Sequence, residues 1–392
     1  MTVAGHSPQR VAALDGLRGV ACLLVFGVHL AQITHLDGQL GPFELGRFLA
    51  NGHIGVALFF ALSGMLLSLP FWRAKFDVAS APKLGRYFTN RCVRILPAYY
   101  VCLTALIIDN RIWEGTNGWS IVGLHYALAF NYADWSIFAV NPPFWTIAVE
   151  AQFYLLLPLF FVFARKLSVR YTALIAVGFA LASYATHVWL TEWSGSTGSR
   201  AISPVVEYSL LAHLPHFLIG VLAGAGFLLY SAQPERRIRP ASGALGWFSI
   251  AAIAIVLATP IDDWLQIPYG RYNLPFVPLL LATLIVTAPH SSSLRTMLNG
   301  FPLRPLGLIS YGIYLYHLPV LHATARYLPV DVQEQWWLFG TISLGLTVAV
   351  ATGSYLIIER PITRAVGRFR ATRAKPALIG TVTAPDLSRA VR

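Results

Sequence analysis

Acidic residues and cysteines are scarce in this sequence. Across 392 residues there are 17 aspartates and glutamates and three cysteines. Cys22, Cys92 and Cys102 follow neither a disulfide framework nor a zinc-ligand spacing. A cystine-stapled fold and a metal centre are therefore not expected, and three reduced, buried thiols are. No fixed period recurs along the chain, which sets aside solenoids and propellers. Charged residues make up 12%, about half of what a soluble domain carries. The first apolar stretch has no small-residue cleavage site and its pattern returns many times downstream, so it does not read as a cleavable signal.

What the chain has instead is apolar length. It is 56% hydrophobic, with a mean hydropathy of +0.59. Its pattern predicts an all-α, polytopic membrane protein of about ten spans, near 14–33, 53–70, 95–110, 145–164, 171–190, 206–230, 244–260, 272–289, 306–327 and 335–358. Alternate connections are basic, among them "RAKFDVASAPKLGRYFTNRCVR", "QPERRIRP" and "ERPITRAVGRFRATRAK". With these and both termini in the cytoplasm, only Arg47, Arg111, Arg200, Arg271 and Arg326 lie outside. The net charge of +12 thus reads as a cytoplasmic bias rather than a nucleic-acid surface. The apolar part of 114–144, residues 119–131, is too short to span and reads as a re-entrant or interfacial helix on the outer side. Residues 1–364 form the transmembrane domain. Residues 365–392 read as a basic, disordered tail, and no fused soluble domain is expected.

An ionisable side chain at mid-bilayer costs roughly 2.5–3.5 kcal/mol, so each one needs a reason. In "LDGLRGVACLLVFGVHL", Arg18 and His29 lie eleven residues apart, about three turns and ~16 Å, on nearly one helix face. Asp15 can pair with Arg18. A cation at the water's edge and an imidazole at the midplane can line a slot, the first holding an anion and the second moving a proton. An anchor and a packed core histidine are the blander alternatives. Ser63-Gly64 interrupts the second span and lets a helix or a ligand approach the backbone. Arg91 and Arg94 share a face and suit phosphate oxygens. Glu150 lies inside the fourth span, with Tyr154 one turn on. Ser310, Tyr314 and His317 share one face of the ninth. His322 reads as background, and Glu359 with Arg360 as a structural salt bridge.

Together these stretches resemble the acyltransferase-3 family of bacterial integral-membrane O-acyltransferases. The resemblance rests on "LDGLRGVACLLVFGVH", "FFALSGMLLS", "NRCVRILPAYY", "PFWTIAVEAQFYLLLPL", "SYGIYLYHLPV" and "YLIIERP", in the family's order over about 11–364. The family's arginine–ten residues–histidine motif matches Arg18 and His29. Its serine–glycine motif matches Ser63 and Gly64, its basic motif Arg91 and Arg94, and its tryptophan–glutamate stretch Trp145 and Glu150. Cys92 stands where a second arginine is usual, Ala151 where a second acid is common, and Met65 where an aromatic is usual.

The resemblance implies a multi-pass enzyme of the bacterial inner membrane, with no tightly bound cofactor. It would move an acetyl or other short acyl group from cytoplasmic acyl-CoA to a hydroxyl of a glycan, glycolipid, lipid or secreted metabolite. His29 would act as general base or carry the acyl group transiently. Glu150 would orient His29 or His317. Arg18, Arg91 and Arg94 would hold the CoA phosphates, Ser63 and Gly64 would pass the acyl arm, and Asp15, Trp145, Tyr154, Ser310 and Tyr314 would support them. The competing class is a transporter or flippase of a lipid-linked or small anionic substrate, which also buries such groups. Against it, no inverted repeat and no matched pair of broken spans is visible.

Overall fold

The computed structural model describes residues 8–36, 39–40, 43–196, 204–233, 235–259 and 276–373. Arg200, Arg271 and the end of the tail lie outside them. The chain runs through α1 (Pro8–Thr34), a hairpin of two-residue strands (Gln39–Leu40 and Phe43–Glu44), α2 (Leu45–Ala50), α3 (Ile54–Lys75), α4 (Leu84–Asp109) and α5 (Gly118–Tyr126). Next come α6 (Trp145–Phe163), α7 (Val169–Ser196), α8 (Pro204–Glu207), α9 (Leu210–Ser231) and α10 (Glu235–Ala258). The last are α11 (Phe276–Thr287), α12 (Ser292–Asn299), α13 (Leu303–Leu308), α14 (Ser310–Tyr327), α15 (Trp336–Ser354), a π turn over Tyr355–Glu359, and α16 (Arg360–Arg373). Apart from the hairpin, the described architecture is helical.

Among the described residues, eight helical stretches are long and apolar enough to cross a membrane, or nine when α11 and α12, bent by 90°, are counted as one span. The region 306–327 does not appear among them. It is divided into α13 and α14 at Ile309, and its tyrosines, histidines and Arg326 dilute its apolarity. Buried polar and aromatic groups hold α14 within the bundle rather than lipid contact alone. The stretch 114–144 holds only the nine-residue α5 and short 3-10 turns, too short for a 30 Å core. The tail reading changes. Helix continues to Arg373, because Arg364 and Arg368 fall one turn apart on a helix whose other face carries apolar residues.

The centre is built from α1, α3, α9, α13 and α14. Lipid tails are as apolar as leucine, so close van der Waals contact, rather than hydrophobic expulsion, has to hold such helices. Small residues permit it. A side chain on Gly64 would overlap the Phe217 carbonyl, and one on Gly220 the Ala61 carbonyl, so α3 and α9 meet backbone to backbone. Gly307 meets the Asp15 carbonyl in the same way and seats α13 on α1. Outside this core, Leu155, Leu159 and Phe163 of α6 and Leu174 and Leu181 of α7 are exposed, as lipid contact requires. Trp119, Trp135, Trp189, Trp193 and Trp337 are exposed too, the amphipathic rings that favour a membrane–water boundary. The thiol expectation holds for Cys22 and Cys102, which are buried. Cys92 is exposed on α4.

Candidate active site

Among the described residues, two neighbouring cavities share walls: Val56 of α3 and Tyr314 of α14 line both. The first is a cleft of about 90 Å³. Arg18, Arg91 and Arg94 line it together with Ser63, Glu150, Tyr154 and Ser310. Helix α4 begins at Leu84, so both Arg91 and Arg94 are carried on a rigid helix rather than on a loop. Arg18 reaches Asp15 at 3.6 Å, the pairing their spacing suggests. Three guanidinium groups and one carboxylate, Glu150, line this cleft among the described residues. Neither Arg91 nor Arg94 has an ion-pair partner within 4.0 Å among the described residues, and Arg91 Nε is buried with no hydrogen-bond partner. Such an excess of fixed donors is suited to an anion such as phosphate.

Glu150 accepts a hydrogen bond from Ser63 Oγ at 2.6 Å, and the Tyr154 hydroxyl bonds it as well. Neither His29 nor His317 touches it. This corrects the assignment of Glu150 to an imidazole. Helix α6 starts at Trp145, and five residues at ~1.5 Å each carry Glu150 down to the level of Ser63. Trp145 itself lines the second cavity. Gly64 also departs from expectation. It points at α9, about 100° around the helix from Ser63, and serves the helix contact rather than the cleft. Glu359 is buried and interacts with Arg94 and Ser354. Among the described residues it forms no salt bridge with Arg360, whose side chain is exposed.

The second cavity measures about 600 Å³. His29 lines it, and behind His29 stands His317, with ring centroids 4.8 Å apart and a T-shaped arrangement. Two backbone carbonyls fix the tautomers. His317 Nδ1 is 2.7 Å from Tyr314 O, and a carbonyl only accepts, so this nitrogen carries the proton. Neutral His317 therefore offers the lone pair of Nε2, which lies 3.1 Å from His29 Nδ1. His29 Nδ1 is also 3.0 Å from Val25 O, so its N–H is shared between that carbonyl and His317. The remaining nitrogen of His29, Nε2, is then an acceptor. The imidazole pair is thus oriented by backbone and by itself, with no carboxylate.

Arg18 and His29 consequently open into different cavities. The partition between them is one layer of side chains. Its hinge is Tyr314, whose hydroxyl donates to Pro143 O at 3.0 Å and accepts from Thr146 Oγ1 at 2.8 Å. Phe59 packs edge-on against the Tyr314 ring at 5.9 Å. Sequence reasoning passed over Thr146, His53, Glu207, Tyr208 and His213, and it set His322 aside. His53, His213 and His322 all line the His29 cavity. The signal for His213 was present, since an ionisable residue inside an apolar helix needs a reason. Glu207 and Tyr208 lie in a short helix and the turn after it, and no periodicity marks such a segment.

A family model described as an acyltransferase domain matches residues 11–356. The chain is 26% identical to the peptidoglycan O-acetyltransferase OatA of Listeria monocytogenes, over 91% of this chain and 56% of that protein. It is 26% identical to acyltransferase MdmB of Streptomyces mycarofaciens, over 97% and 98% of the two chains. It is 27% identical to nodulation protein 10 of Rhizobium leguminosarum, over 91% and 94%. The chain thus spans little more than half the length of the Listeria relative. No solved structure matches it.

Proposed function

This chain belongs to the acyltransferase-3 family, and from that premise we propose that it moves a short acyl group from acyl-CoA to an acceptor hydroxyl across the Tyr314 partition. The observation that carries the proposal is the facing of two unlike cavities across one residue layer. One is rich in guanidinium groups. The other holds an imidazole with an open lone pair.

In this reading the phosphates of CoA rest against Arg18, Arg91 and Arg94, and the acyl arm points toward Tyr314. The acceptor occupies the larger cavity. Its hydroxyl gives its proton to His29 Nε2 as the oxygen attacks the thioester carbonyl. The carbon–sulfur bond breaks and the thiol of CoA leaves, taking a proton back from the imidazolium. His317 Nε2 accepts the His29 Nδ1 hydrogen bond throughout and so steadies the ring, the part a carboxylate plays in a Ser-His-Asp arrangement. The Ser63–Glu150–Tyr154 cluster balances the arginine charge. The basic loops support an arginine cleft turned toward the cytoplasm, where acyl-CoA is made, with the bacterial inner membrane as the setting. The larger cavity then faces outward.

The test is transfer from radiolabelled acetyl-CoA by the protein in proteoliposomes. Wild type labels the acceptor fraction, and His29→Ala lowers the rate by about 10²- to 10⁴-fold while CoA still stabilises the protein against heat. A folded, inserted His29→Ala protein that turns over near the wild-type rate overturns the proposal.

A further inference from the structure

The larger cavity is unequal in charge. Among the described residues, Glu207 is the one carboxylate in its lining, and no lysine or arginine lines it. Glu207 ends α8 and is partly buried, and no cation pairs with it among the described residues. Next to it the Tyr208 ring meets Phe138 and Trp145 edge-on, each at a centroid distance of 4.9 Å. All four side chains line the same cavity as His29. A carboxylate withdrawn from water needs a counter-charge or a full set of donors. Aromatic faces attract cations, Trp and Tyr most strongly. A carboxylate beside three contiguous rings is therefore complementary to an ammonium group. An acceptor with hydroxyls alone would leave the carboxylate without a counter-charge.

We propose that Glu207, Tyr208, Phe138 and Trp145 form a subsite for a protonated or quaternary amine on the acceptor. The acceptor class is then an alcohol that also bears an amine, amino sugars among them. This rests on the reading that the acceptor enters the His29 cavity. The amine fixes the acceptor at the wall and leaves its hydroxyl free to reach His29 Nε2.

The experiment compares two probes of nearly equal shape. Choline carries a hydroxyl and a quaternary nitrogen. Dimethylbutanol is the same skeleton with carbon in place of the nitrogen. Binding of each to the purified full chain is measured by calorimetry at one fixed pH of about 8, above the ordinary imidazole range. Wild type binds choline about tenfold tighter than the alcohol. In Glu207→Gln the two bind within about twofold, and Tyr208→Leu weakens choline more than the alcohol. Equal binding of both probes by wild type, tighter binding of the alcohol, or no binding of choline overturns the subsite. No donor is present, so this result stands apart from the loss or survival of acetyl transfer in His29→Ala.

Discussion

At the residue scale, the chemistry rests on which nitrogen holds which proton. Tyr314 O and Val25 O accept hydrogen bonds from Nδ1 of His317 and of His29, which keeps the proton on those nitrogens and leaves His29 Nε2 bare. His317→Gln keeps a side chain of similar reach but not the same lone pair in place. It is expected to lower kcat by about tenfold or more, with KM for the donor unchanged, as steady-state kinetics will read. Glu150 is expected to act differently. Glu150→Gln weakens a charge-assisted hydrogen bond from Ser63 and removes the carboxylate that lines the arginine cleft. The expected loss is about 1–3 kcal/mol of stability, seen as a lower melting temperature, and the bare imidazole is untouched. A change in the pH profile of transfer without a change in stability would return Glu150 to the catalytic group. His29, Arg18, Ser63 and Tyr314 were legible in the sequence because each is a polar group at a place where burial is costly. Glu150 was legible as a buried acid but not as the partner of Ser63, since the two lie 87 residues apart and depth along a helix does not appear in a motif.

At the element scale, α3 and α9 are joined by Gly64 and Gly220. Enlarging either must push two backbones apart, a cost of about 1–3 kcal/mol or more for overpacking. Gly64→Leu and Gly220→Leu are expected to lower the yield of monodisperse protein in size-exclusion chromatography. Gly178→Leu, where a side chain meets nothing within 4 Å, is expected to leave it unchanged. Tyr314 sets the second element-scale expectation. Tyr314→Phe removes the hydroxyl that ties α14 to Pro143 and Thr146 of the α6 entrance, and Tyr314→Ala removes the partition itself. Hydrolysis of acetyl-CoA without an acceptor is expected to rise in Tyr314→Ala, measured as free thiol released. Helix α14 shows what apolar periodicity cannot convey. Its 18 residues are held by buried hydrogen bonds, and a hydropathy window sees only their dilution of the apolar signal.

At the scale of the whole molecule, the long apolar helices and the scarcity of charge made a polytopic membrane fold readable from composition alone. The bend between α11 and α12 and the two-cavity layout were not, because both follow from how distant helices seat on one another. Sidedness has a native probe. Cys92 is the exposed thiol among three, on the same helix as Arg91 and Arg94. A membrane-impermeant maleimide is expected to label one thiol per chain in inside-out vesicles and none in intact cells. Labelling from the outer side would reverse the orientation and the entry path of the donor. The most direct measurement of the central claim is a density map of the protein with a non-hydrolysable acyl-CoA analogue. The account predicts phosphates against Arg18, Arg91 and Arg94, with the analogue's carbonyl next to Tyr314 and the His29 ring beyond it. An analogue lodged in the larger cavity beside Trp145 and His53, with the three arginines untouched, would contradict it.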